Sequence, residues 1–163
     1  MISKIISGGQ TGADRAALDW AIWHKVPHGG WCPKGRKALD GPLDARYKLT
    51  ETPSASYLQR TEWNARDSDG TVIFTLSSDL AGGSKKTGQY ASKHGKPWIH
   101  VSRASYNPRQ ELVEFIREHS FATLNVAGSR ESKEPGLYEW VKVVLEEAFF
   151  AENTSYLKGP DEG

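Results

Sequence analysis

Cysteine is almost absent from this chain: Cys32 is the single one in 163 residues. One thiol excludes an internal disulfide and any zinc site built from several cysteines. It fits a reducing compartment. An excess of either charge is missing too, since 21 lysines and arginines face 20 aspartates and glutamates, for a formal net charge of +1. General nucleic-acid binders draw affinity from a basic excess on one face, so no nucleic-acid partner is expected. A local basic site for a small anion stays open. No apolar run approaches the ~20 residues of a membrane span, and no membrane partner is expected. The opening Met1-Ile2-Ser3-Lys4-Ile5-Ile6 enters a strand-like run without a signal-peptide layout, so the expected location is cytoplasmic. Nucleophile–base spacings are absent as well. His24 and His28 flank a strand start and are read as structural or exposed, which leaves no metal ligand and no catalytic residue assigned.

What is present is a recurring order of strand, glycine turn and helix. β-Branched runs at 2–7, 71–76, 97–102 and 121–127 read as strands. Helical spacing follows at 11–25, 85–94, after Asn107, and at 135–149. Asn107-Pro108 with Gln110 is a strong helix start, combining an N-cap, proline at the first helical position and a capping box. Residues 26–32 read as a short strand, followed by a long ordered loop and a helix over 54–67. Strands alternating with helices predict an α/β fold: a Rossmann-like three-layer sandwich, a mostly parallel sheet with helices on both faces. Runs such as Val72-Ile73-Phe74 agree, because strands covered on both faces lose polar alternation. Residues 1–150 are expected to form one domain, and 151–163 a polar tail.

Three glycine-containing segments follow strands and precede helices, where backbone amides and the helix dipole favour an anion. The first supplies Gly8, Gly9, Gln10, Thr11 and Asp14. The second supplies Gly82, Gly83, Ser84 and Thr87, and the third Gly128, Ser129 and Arg130. Each has a structural alternative. Thr11 and Asp14 fit a capping spacing, Ser84 or Thr87 can cap, and Arg130 can pair with Glu131 or Glu134. Lys34, in Gly-Gly-Trp-Cys-Pro-Lys-Gly, adds a cation, and Trp31 is either a stacking platform or core. Arg60, Asn64 and Asp67 share one helical face, read either as a site or as a solvated surface. Ligands of open parallel sheets bind outside the carboxyl ends of the strands, so these loops should converge there around a small phosphate-bearing ligand.

Taken together, Gly-Gly-Gln-Thr-Gly-Ala-Asp at 8–14, Gly-Gly-Trp-Cys-Pro-Lys-Gly at 29–35, Arg-Thr-Glu-Trp-Asn at 60–64, Asp-Ser-Asp-Gly-Thr at 67–71 and Asn-Val-Ala-Gly at 125–128 resemble the molybdenum carrier family. This is the circularly permuted YpsA branch of the SLOG Rossmann-like superfamily. The resemblance runs from about residue 4 to 145. It implies a single SLOG domain with a nucleotide-type cleft. The implied ligand is the molybdenum cofactor, a phosphorylated pterin, or a nucleotide. Direct molybdate binding would have to rest on amides, since no thiolate cluster is present. Related LOG-type phosphoribohydrolases carry Pro-Gly-Gly-x-Gly-Thr-x-x-Glu. Here Tyr90 stands in place of that catalytic Glu, so the expected function is carriage rather than hydrolysis. A LOG-like nucleotide hydrolase and a nucleotide-sensing regulator are the alternatives. A homo-oligomer, dimer or tetramer, is expected.

Overall fold

The structure is a computed structural model that describes the backbone of residues 2–157 and side chains from Ile2 to Phe150. Its elements alternate as expected: β1 (Lys4–Ile6), α1 (Ala13–Trp23), β2 (His28–Gly29), β3 (Trp31–Cys32), β4 (Thr50–Glu51), α2 (Tyr57–Arg66), β5 (Gly70–Thr75), α3 (Gly82–Lys93), β6 (Trp98–Ser102), α4 (Pro108–His119), β7 (Thr123–Gly128) and α5 (Leu137–Leu157). Five strands form one parallel sheet in the order β2-β1-β7-β5-β6. β7 lies at its centre, with Leu124 in register with Ile5 on one side and Gly70 on the other. Helices α1, α4 and α5 pack together on one face, and α2 packs with α3 on the other. This is the Rossmann-like three-layer architecture. Among the described residues no helix is long and apolar enough to cross a membrane.

Local chemistry sets the boundaries. Asn107 caps α4 by accepting from the Gln110 amide at 3.2 Å. Gln110 does not reach back to complete the box; its side chain donates to Glu114 one turn on. Ser56 caps α2 by accepting from the Leu58 amide. The predicted strand at 26–32 is divided around Gly30. β2 joins the main sheet, while β3 leaves it to pair with β4 in a separate two-stranded parallel sheet. Helix α3 begins three residues earlier than its spacing predicts, so Gly82 and Gly83 form its first turn rather than a preceding loop. The last helix runs on to Leu157, through the start of the predicted tail. Residues 158–163 of that tail lie outside the described residues.

The main core lies between the sheet and α1, α4 and α5. Ala13, Ala16, Ala17, Trp20 and Ala21 of α1 meet Ile5, Val72, Phe74, Leu124 and Val126 of the strands. Small residues at helical spacing let α1 lie close to the sheet. Leu18 faces another way. With Cys32, Ala38, Leu43 and Tyr47 it forms a second buried cluster beneath the long loop at 33–49. Arg36 organises that loop, since its guanidinium donates to the carbonyl oxygens of Leu43, Asp44, Tyr47 and Leu49. Arg15 clamps the near end through a bidentate pair with Asp40 and bonds to the Gly9 carbonyl. Tyr47 and Tyr138 both donate to Asp19, tying the loop and α5 to α1.

Candidate functional site

The helix after β1 lies on one face of the sheet and the helix after β5 on the other. Their divergence opens a crevice at the carboxyl ends of β1, β7 and β5, where open α/β sheets bind ligands. All three glycine segments reach it. A cavity of about 110 Å³ is bounded by Gln10 and Asp14, by Tyr57, Leu58, Arg60 and Thr61 of α2, and by Ala81, Gly83, Ser84 and Thr87 of α3. Ala127, Gly128, Ser129, Arg130 and Lys133 close the remaining side. A smaller cavity of about 10 Å³ on its inner side shares Asp14, Arg60, Thr61, Thr87 and Ala127 with it and adds Gly8, Asn64 and Asn125.

Two glycines hold this geometry. Gly12 has φ +88°, and a Cβ there would stand 2.3 Å from the Ser129 carbonyl oxygen and 2.8 Å from the Glu131 nitrogen. The turn after β7 can therefore dock on the start of α1, with Ala13 N–H donating to Ser129 and Glu131 N–H to the Thr11 hydroxyl. Thr11 thus joins two loops and does not cap the helix. Gly8 leaves room for Arg60, whose Nη1 would lie 2.4 Å from a Cβ at that position.

Arg60 and Asp14 form the buried charged pair of the crevice, Nη1 to Oδ2 at 3.3 Å, with side chains 12% and 4% exposed. Asp14 also accepts from the Gln10 amide at 3.3 Å. Burial pushes its carboxyl above the usual carboxylate range, and Arg60 opposes that rise without cancelling it. Arg60 Nε is buried with no hydrogen-bond partner. A lone buried donor costs roughly 1–3 kcal/mol, and the Arg60 side chain also lines the cavity.

Arg130 and Lys133 stand at the mouth as exposed cations. The glutamates that could have paired with Arg130 are engaged elsewhere. Glu131 accepts from the amides of Gly136 and Tyr138, and Glu134 from those of Leu76 and Ser77. The α3 start adds backbone donors at Gly83 and Ser84, since first-turn amides have no intrahelical partner. No side chain caps that end. Thr87 is less free, because its hydroxyl donates back to the Gly83 carbonyl at 2.9 Å.

Of the other predicted site residues, Gly9, Gly82 and Lys34 fall outside the cavity wall, while Asn64 and Gln10 have side chains committed to backbone contacts. Gly9 is covered by Leu43 and Leu49. Gly82 lies just outside, near the Lys133 ammonium. Lys34 is exposed in the loop, and its amide donates to the Ser54 carbonyl. Asn64 holds the Trp31 backbone, accepting from its N–H at 2.7 Å and donating to its carbonyl at 2.9 Å. Trp31 itself donates to Asp67 and meets Trp63 edge-on, which settles it as packing. Gln10 anchors the long loop, with Oε1 accepting from Thr11 and Leu39. Tyr90 is absent from the wall, which takes Ser84 and Thr87 from α3. Tyr57, Leu58, Thr61, Ala81, Ala127 and Lys133 were not anticipated. Extending the Arg60–Asn64 face backward by one turn, rather than forward to Asp67, would have found Tyr57.

Fold and crevice together define a doubly wound α/β protein with a polar, cationic pocket at its topological switch point. The sequence places it more narrowly. The model of the circularly permutated YpsA SLOG family matches residues 5–149, and the chain belongs to that family. Among solved structures it is similar to a "putative molybdenum carrier protein" from Syntrophus aciditrophicus SB. The two share 45% sequence identity and a TM-score of 0.86, over 91% of this chain and 95% of that one. Among curated proteins none matches.

Proposed function

We propose that the chain is a binding or carrier protein that takes the oxyanionic end of a small ligand, a phosphate or a related tetrahedral group, into the crevice beside Arg60. The observation that carries this reading is the convergence of Arg60, Arg130, Lys133 and the first residues of α3 on one cavity, with Arg60 Nε left unpartnered behind its wall. Guanidinium and backbone N–H groups match oxyanion oxygens in geometry and charge. At about 110 Å³ the cavity is well below the ~300–1,000 Å³ that encloses a drug-sized ligand. The anionic group enters, and the rest of the ligand lies outward over Tyr57 and Leu58. The similarity to a "putative molybdenum carrier protein" supports a cargo that presents such a group, the phosphate of a pterin cofactor, and a nucleotide presents the same group. A thermal-shift panel of nucleotides, nucleosides and pterin phosphates tests the reading. Phosphorylated compounds should stabilise the protein and their dephosphorylated forms should not; equal shifts would reject it.

One observation favours the hydrolase alternative. Among the described residues Asp14 is the one carboxylate on the cavity wall, and burial raises its pKa, as in a general acid. Its oxygens are nevertheless tied to Arg60 and Gln10. Base release from nucleoside monophosphates at roughly 1 per second or faster would make this the better reading.

Self-association belongs to the same proposal. A groove of about 870 Å³ between α1 and α5 shares no residue with the crevice. It is bordered by Trp23, 82% exposed, and Val143, 51% exposed. Arg46 and Lys142 lie in it with Asp19, Glu139, Glu146 and Glu147. Both charge signs on one patch suit a second copy across a two-fold axis.

A further inference from the structure

A simple cradle for anions has no need of a buried carboxylate, yet Asp14 lines the cavity with its side chain 4% exposed. Its partners are the Gln10 amide and Arg60 Nη1, both on Oδ2 and both at 3.3 Å, together with the Gly8 backbone. A carboxylate offers about four lone-pair sites, so Asp14 keeps accepting capacity toward the cavity. The charged and titratable groups around it come from every neighbouring element. They are Arg60 and Tyr57 from α2, Arg130 and Lys133 from the turn after β7, and Arg15 on its own helix, already committed to Asp40 and Gly9. Helix α3 presents only Ser84 and Thr87, and β7 only Asn125 on its inner end.

An ionised carboxylate beside a fully deprotonated oxyanion repels it and receives no hydrogen bond in return. The same carboxylate beside an oxyanion that carries a proton accepts a charge-assisted O–H···O⁻ bond, among the stronger hydrogen bonds available. Resting on the reading of this crevice as an oxyanion pocket, we propose that Asp14 is its specificity-determining residue. Its carboxylate accepts a hydrogen bond from a protonated oxyanion, so the site takes hydrogen phosphate, or a phosphomonoester as its monoanion, and turns away sulfate and molybdate. The discrimination depends on pH with a defined sign. Above the folded-state pKa of Asp14, which burial raises, the carboxylate selects. Below it the protonated carboxyl becomes a donor, and sulfate is accepted too.

Calorimetric titration with potassium phosphate, sulfate and molybdate at pH 8 and constant ionic strength tests the assignment. Phosphate should bind the wild type about 10- to 100-fold more tightly than the other two, the range of one hydrogen bond to a charged group. Asp14→Asn should close that gap by gaining sulfate and molybdate affinity. Equal affinities in the wild type, or molybdate bound most tightly, would overturn the role of Asp14 and leave the pocket reading standing. No binding of any anion to wild type or variant would remove the pocket reading and this assignment with it. The wild type alone also decides the matter if the variant does not fold. At pH 8 its preference for phosphate over sulfate is read directly, and the lack of that preference overturns the proposal.

Discussion

The two faces of the sheet are made from the same strands and differ in almost everything else. Toward α1, α4 and α5 the strands present Ile5, Val72, Phe74, Val101, Leu124 and Val126 to one continuous apolar cluster. Toward α2 and α3 they present Thr71, Ile73, Thr75 and Asn125, all buried, with Asn125 donating to Thr71. The helices repeat the contrast, since α3 turns Ser84, Thr87, Gly88 and Ala91 inward, while α5 contributes Leu137, Val141, Val144 and Leu145. One face supplies cohesion. The other gives up apolar contact for hydrogen-bonding capacity and opens into the crevice. Doubly covered strands lose the polar–apolar alternation of half-exposed ones, but a weaker period-2 signal persists here: the buried polar residues Thr71, Thr75 and Asn125 alternate with the apolar core positions Val72, Phe74, Leu124 and Val126. It marks the face that carries the site.

That division can be broken most directly at Phe74. Phe74→Ala should cost about 3–5 kcal/mol by urea unfolding, from lost transfer energy plus a cavity, while the folded fraction keeps its phosphate affinity. A cost below 1 kcal/mol would show that the apolar face is not the main source of stability. Arg130→Ala should do the reverse. Affinity for a phosphate ligand should fall roughly 10- to 100-fold, about 1.5–3 kcal/mol, with stability within about 0.5 kcal/mol of wild type. Arg130→Lys should recover part of the loss, keeping the charge without the planar fork. Unchanged affinity would leave Arg60 and the amides as the anion contacts. The smallest effect concerns acid. Asp69 accepts from the amides of Ala122 and Thr123 at the start of β7, which holds its carboxyl below the usual range. Its contribution is present above the unfolded value of 3.8 and is lost as pH falls through the lower folded value. Asp14 has the opposite sign, since its raised folded pKa means that stability is lost as pH climbs from 3.8 through that value. Asp69→Asn should therefore flatten the acid limb of the stability curve and Asp14→Asn the limb above it. Identical pH profiles for the two variants would contradict these environments.

Where structure is dictated by neighbours in sequence, it was legible. The β-branched runs of β1, β5, β6 and β7, and the Asn107-Pro108 start of α4, are local signals, and the parallel α/β order follows from their alternation. What failed is governed by contacts far apart in the chain. Gly82-Gly83 reads as a turn, but α3 already begins there, with Gly82 at φ +53°. The loop at 33–49 carries no periodicity because Arg36, Arg15 and Tyr47 order it from outside any repeat. The convergence of the three glycine segments was readable from their common position after strands. The part played by each side chain was not. Gly9 and Thr11 turn to packing and loop docking, and Lys34 stays in solvent. Lys133 enters through a turn in which its amide bonds the Arg130 carbonyl.

The central position of β7 governs how this chain comes into being. It is the last strand along the described residues, yet the β1–β2 and β5–β6 pairs meet only through it. Until residues 123–128 have left the ribosome, the nascent polypeptide holds two short strand pairs with open inner edges and no common hydrophobic interior. Cohesion arrives late and all at once, through pairings that span more than a hundred residues to β1 and about fifty to β5. Such non-local closure is slow and leaves unpaired edges open to wrong partners. A chain arrested before β7 loses the keystone of its sheet rather than a dispensable margin.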